Sequence, residues 1–209
     1  MKVVKERRVL IVGIICFCVA GLAAQTKSSA SAVDNPLRPY SDTAVYQGTM
    51  LKIDAFTPVY EAARSRGALQ SYEAAVNVRL INKLYPTVEG GYAFGKAVQD
   101  SRTQQVNGGF LRAGLDFNPL KKSVRLPHAL LIGLRVGGSL QQVCDAWGEV
   151  AAGCQVQIVS GFYMGWTFRL KMLFTHRGAS AEVAPIYIPG YGERKDLTWG
   201  LNYYLAWRF

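Results

Sequence analysis

Residues 196–209 read Asp-Leu-Thr-Trp-Gly-Leu-Asn-Tyr-Tyr-Leu-Ala-Trp-Arg-Phe, a strict alternation. Leu197, Trp199, Leu201, Tyr203, Leu205, Trp207 and Phe209 are large and apolar. The positions between them are polar, small or charged, apart from the amphipathic Tyr204. Successive side chains of a strand point to opposite faces, so this segment has one greasy face and one wet face. An unprotected apolar strand at a chain end invites aggregation in water. In a transmembrane β-barrel the same strand pairs with the first one and faces lipid, and this set of seven is expected to do so.

The pattern recurs seven times upstream. Leu51 and Ile53 oppose Lys52 and Asp54; Tyr72, Ala74, Val76 and Val78 oppose Glu73, Asn77 and Arg79; Val88, Tyr92 and Phe94 oppose Thr87, Glu89 and Gly91. Leu111, Ala113, Leu115 and Phe117 oppose Arg112 and Asp116, and Leu130, Ile132, Leu134 and Val136 oppose Gly133 and Arg135. Val150, Cys154 and Ile158 oppose Glu149 and Gln155, and Trp166, Phe168, Leu170 and Met172 oppose Arg169 and Lys171. Eight such segments separated by turn signals predict an all-β fold, an eight-stranded antiparallel transmembrane β-barrel of the outer-membrane type over residues 45–209. An even count puts both barrel ends on the periplasmic side. Residues 82–86 and Ser160-Gly161 are then short inner turns, and residues 57–68 and 175–193 long outer loops; residues 118–127 are a longer inner exception.

The start of the chain agrees. Lys2, Lys5, Arg7 and Arg8 precede a charge-free apolar run at residues 9–23, followed by Ala24. This is the three-part pattern of a secretory signal peptide, and the run is shorter than the about 20 residues of a spanning helix. Residues 1–24 are expected to be cleaved, leaving residues 25–44 as a flexible periplasmic lead-in rich in Ser, Ala and Pro. Cleavage removes four bases and one acid, so the formal charge falls from +10 to +7. For an exported protein that charge points to anionic lipid and lipopolysaccharide rather than nucleic acid. Arg64, Arg66, Arg177, Arg194 and Lys195 are outer-side candidates for lipopolysaccharide phosphates, and Lys121, Lys122 and Arg125 for inner-leaflet headgroups. Cys144 at a turn and Cys154 mid-strand are expected to be too far apart to bridge.

Which face points inward is a question of volume. The inside of an eight-stranded barrel is just wide enough for side chains to fill. Rows of Leu with Trp166, Phe168, Trp199, Trp207 and Phe209 would overfill it. The opposite face mixes Gly and Ala with ions, which suits a narrow polar interior. The lumen set is Lys52, Asp54, Glu73, Arg79, Glu89, Arg112, Asp116, Arg135, Glu149, Arg169, Lys171 and Arg208. Unpaired charge is costly there, so these residues are expected to pair across strands into a plug.

The runs Tyr72-Glu73-Ala74-Ala75, Gly109-Phe110-Leu111-Arg112-Ala113-Gly114-Leu115-Asp116-Phe117-Asn118, Gly133-Leu134-Arg135-Val136-Gly137, Gly165-Trp166-Thr167-Phe168-Arg169-Leu170 and Tyr187-Ile188-Pro189-Gly190-Tyr191-Gly192 carry a likeness over residues 45–209. On them the chain resembles an uncharacterised Bacteroidetes outer-membrane barrel family, a domain of unknown function. The resemblance implies the fold and the location, and no reaction.

Little else points to chemistry. His176, Ser180 and Glu182 fall in one outer loop and could in principle deacylate lipid, but no nucleophile elbow accompanies them. With two distant histidines and no Cys/His cluster, no metal or other cofactor is expected. Tyr187, Pro189, Gly190, Tyr191 and Gly192 read as a braced loop tip suited to surface recognition. The expectation is a monomeric, non-enzymatic outer-membrane barrel of structural or surface-interaction role, its lumen closed by ion pairs. Its partners would be outer-membrane lipid, lipopolysaccharide and, through the last strand, the barrel-assembly machinery. A narrow pore and a lipid-modifying enzyme are the rival functions.

Overall fold

A computed structural model describes residues 45–80, 83–99, 102–120, 128–140, 145–175 and 184–209. The signal-peptide and lead-in readings, and His176, Arg177, Ser180, Glu182, Lys121, Lys122, Arg125 and Cys144, lie outside the described residues. The elements are β1 (Tyr46–Asp54), α1 (Phe56–Arg64), β2 (Leu69–Leu80), β3 (Leu84–Gln99), β4 (Arg102–Phe117), β5 (His128–Leu140), β6 (Ala146–Val159), β7 (Phe162–Leu173), the two-residue strands β8 (Tyr187–Ile188) and β9 (Gly192–Glu193), and β10 (Leu197–Arg208).

Eight of the strands close into an antiparallel barrel in the order β1-β10-β7-β6-β5-β4-β3-β2. All eight segments read from the alternation are barrel strands, and all face as expected. Trp199 is 63% exposed and Leu134 67%, both on the exterior, whereas Arg112 is 1% and Glu149 3% exposed inside. The period of two thus separates a bulky apolar outside from an ionic inside at every strand. Exterior rings meet across strands: Phe162 lies opposite Trp207 with centroids 5.7 Å apart, and Phe168 stacks on Trp199 at 6.3 Å. Such pairs contribute roughly 0.5–1.5 kcal/mol each beyond their buried area.

The closing seam is short. β1 and β10 pair over five residues, from Met50 opposite Arg208 to Asp54 opposite Tyr204, whereas β10 and β7 pair over eleven. We call the end where β1 begins and β10 stops the lower end. The lower end carries the Ser160-Gly161 turn, with Gly161 at φ +77°, and the β2–β3 and β4–β5 connections.

The upper end differs from the sequence reading in two ways. First, residues 57–68, expected as a loop, begin as α1. Asp54 accepts hydrogen bonds from the Phe56 and Thr57 N–H groups, Pro58 falls in the first turn where it is tolerated, and Arg66 (φ +54°) and Gly67 (φ +81°) end the helix. At nine residues it is too short to show a period. Second, β3 and β4 run on as a hairpin paired from Leu84–Phe117 to Gln99–Arg102, although β2 leaves β3 at Gly95 and β5 leaves β4 at Gly109. Its upper part stands clear of the rim, and polar residues such as Gln104, Gln105 and Asn107 hid it. Its inward Ala97 and Val106, with Leu69 and Ala93, pack on Ile186 and Tyr187 of the β7–β10 connection.

Interior glycines make room for long ions. A Cβ at Gly133 would run into the Asp116 carboxylate opposite it, and one at Gly137 into the Trp147 ring and the Arg112 stem. Gly133→Val should therefore lower stability by about 1–3 kcal/mol by forced repacking. Gly138→Val, where the nearest atom is 3.8 Å away, should change it little. The denaturant midpoint of the folded species in detergent checks both.

Candidate functional site

The interior is the one place where reactive side chains gather among the described residues. Its centre is Glu89 on β3. Arg169 reaches it from β7 at 2.5 Å, Arg112 from β4 at 2.9 Å and Arg135 from β5 at 3.1 Å. Arg112 also pairs with Glu73 and, at 3.2 Å, with Glu149. Arg169 bridges Glu73 at 3.1 Å and Glu149 at 3.4 Å, and Arg135 forks both oxygens of Asp116 at 3.0 and 2.8 Å. Charge-assisted forks of this kind fix position as well as charge. Five of the predicted acids and five bases (Lys52, Arg112, Arg135, Arg169 and Lys171) share this enclosed space, so its middle is neutral in formal charge.

Not every predicted member joins the central knot. Asp54 instead holds the start of α1 and accepts a hydrogen bond from Asn202 at 2.5 Å. Lys52 lies 4.5 Å over the Tyr204 ring. Lys171 donates to the carbonyls of Gly190 at 2.7 Å and Tyr191 at 3.2 Å. Arg79 and Arg208 sit apart at the lower mouth. Trp147 and Asn202 were missed: the Trp147 indole N–H donates to Glu149 at 2.7 Å. Trp147 does occupy an inward position of the alternation, which was a usable signal.

The expected recognition tip is a correction. Tyr187, Ile188, Pro189 and Tyr191 are buried, with Ile188 and Tyr191 at 0% and 1% exposure. The β8–β9 hairpin folds over the upper mouth as a strap instead of standing out as a contact surface. An apolar Ile-Tyr-Ile-Pro run gains more by covering Phe110, Trp147 and Leu173 than by meeting water. Gly190, at φ +77°, lets the turn press on the Phe110 ring, where a Cβ would collide. Its carbonyl accepts from Arg112 at 3.2 Å as well as from Lys171. On the hairpin side the Gln104 amide accepts from the Ile186 and Tyr187 N–H groups (2.7 and 3.0 Å) and donates to the Tyr187 carbonyl at 3.2 Å. Two bases expected to meet lipopolysaccharide are engaged in the strap: Arg64 pairs with Glu193, and Arg194 with buried Asp145 at 3.1 Å. On α1, Glu61 hydrogen-bonds the Tyr187 hydroxyl.

The arrangement fills space. The cavity beside Glu73, Glu89 and Asn202 amounts to about 20 Å³, room for about one water molecule. Among the described residues no three His, Cys, Asp or Glu side chains could share a metal ion.

Two outcomes follow from these contacts. Arg112→Met leaves Glu73, Glu89 and Glu149 short of a partner in a closed interior. It should cost about 3–5 kcal/mol, read from the denaturant midpoint, against no measurable change for exposed Arg66→Met. Burial raises the Glu61 carboxyl above its ordinary 4.5, outweighing Arg64 and Lys171, so the folded state holds the proton more tightly than the unfolded chain. That contribution is whole below pH 4.5 and is lost as pH rises through the raised value. The melting temperature of Glu61→Gln should therefore gain on that of the unmodified protein as pH rises from 4.5 to neutrality.

Comparison with known proteins adds one result. No curated protein and no solved structure matches the chain. The model of one family, described as a domain of unknown function (DUF6048), matches residues 7–145 and 139–209, and the chain belongs to that family.

Proposed function

We propose that this protein is a closed outer-membrane barrel with a structural, non-catalytic role. One observation carries the reading: the barrel is inside out for water. Leu51, Ile53, Val76, Leu111, Leu134, Leu170, Trp199 and Trp207 are exposed around its outer wall while the arginines and carboxylates are sealed within. Exposed apolar surface of that extent is stable only against hydrocarbon. The helix α1 supports it by following the same rule. Its Thr57 and Glu61 turn toward the barrel, and Val59 (67% exposed) and Tyr60 turn away. Among the described residues no helix is long and apolar enough to cross a membrane, so the strands would do the spanning.

In this reading residues 1–24 direct export, the lower end faces the periplasm, and the upper end, with exposed Arg66, faces lipopolysaccharide. The strand β10 is the segment offered to the assembly machinery, and the barrel works as a monomer. The cavity of about 20 Å³ and the strap argue for a lumen closed to solutes.

Cell fractionation and bilayer recordings test the two halves separately. The protein should sediment with the outer membrane, resist carbonate extraction and run as a compact, heat-modifiable band in detergent. Release by osmotic shock as a soluble protein would overturn the membrane reading. No steady conductance should appear in planar bilayers; reproducible single-channel steps would overturn the closed one.

A further inference from the structure

The interior charges are balanced in the middle and unbalanced at the bottom. Five acids and five bases share the central space, whereas the lower mouth is lined by Arg79, Arg208 and His128 with no carboxylate side chain among the described lining residues. We propose that this lower mouth binds an oxyanion, the carboxylate or phosphate group of a ligand, between Arg79 and Arg208.

Side chains from seven strands converge here. Asn77 is 2% exposed, and its Nδ2 has no hydrogen-bond partner; Gln155 is 5% exposed, and its Oε1 has none. A buried amide left unmatched costs about 1–3 kcal/mol unless something meets it. The Asn77 amide is a donor lining a positively charged funnel, and the Gln155 amide presents its own donor if its two ends are exchanged. Gly48 shapes the wall. At φ +124° it sits where β1 slips register, and a Cβ there would lie 3.0 Å from Arg208 Nε. The missing side chain leaves the guanidinium room along β1. Arg208 donates to the Gln47 carbonyl at 2.5 Å and approaches the Tyr163 hydroxyl at 3.5 Å, and Arg79 lies 5.8 Å over the Tyr85 ring. These contacts orient two forks, and a guanidinium has five N–H donors, so partial engagement still leaves donors for an anion.

Size sets the kind of ligand. The narrow part of the funnel holds about 20 Å³, and with its open approach it amounts to about 390 Å³. An oxygen tip enters and the remainder of the ligand stays in the mouth. The same chemistry serves a free phosphate group or a carboxylate. The inference stands on the lower mouth alone and does not depend on the membrane reading.

The test is a titration of the isolated full chain in detergent. Inorganic phosphate is followed by the width of its ³¹P resonance and acetate by calorimetry. Saturable binding of either ion is expected, the tighter one naming the source. Arg79→Gln and Arg208→Gln should each weaken it at least about tenfold, and Arg66→Gln, at the opposite end, should leave it unchanged. Arg79→Lys keeps the charge and loses the fork, so it should bind with intermediate strength; it serves if the Gln variants fail to migrate as folded barrels. Absence of saturable binding for both ions, or binding unchanged in folded Arg79 and Arg208 variants, overturns the proposal.

Discussion

Glu89 accepts from three guanidiniums that arrive from β4, β5 and β7, and β7 stands across the lumen from β3. Backbone ladders join neighbours only; this carboxylate joins strands that share no ladder. A barrel whose apolar side chains point outward has no conventional core. What packs its interior is an ionic knot in which each charge is tolerable only because its partners are in place. The inward glycines follow from that demand, since long guanidinium stems need somewhere to lie. The net stabilisation of such a knot over a hydrophobic filling is small, because desolvation offsets attraction. Its effect is on uniqueness of arrangement: a strand in the wrong register would bring the wrong sign inward.

The strap extends the same logic upward. Lys171 and Arg112, whose donors exceed what the carboxylates below can accept, use the surplus on the Gly190 and Tyr191 carbonyls. Apolar contacts with Phe110, Trp147 and Leu173 then seal the upper mouth. The tall β3–β4 hairpin and α1 hold the strap from outside through Gln104 and Glu61. Cover and contents are therefore one network.

The alternation made the barrel legible because a period of two, repeated with the same choice of bulky and ionic residues, admits one orientation in a narrow cylinder. The pairing of Glu73, Glu89, Arg112, Asp116, Arg135, Glu149 and Arg169 was legible for the same reason. What was not legible depended on distance in the chain. Nothing local in Tyr187-Ile188-Pro189-Gly190-Tyr191 distinguishes a tip that meets a partner from one that folds back onto Trp147. Nothing local in Asp54 says that a helix begins two residues later. Arg79 and Arg208 follow the inward pattern, yet their depth along the axis, which separates them from the knot, is set by register.

The five-residue seam between β1 and β10 gives meaning to the ions that stayed out of the knot. Asp54 with Asn202, and Lys52 with Tyr204, each link the first strand to the last from within. These contacts act as rivets across the joint with the fewest backbone bonds. The cylinder is thus fastened at its weakest line by side chains that become buried only once the ring has shut, so closure and fastening are a single event.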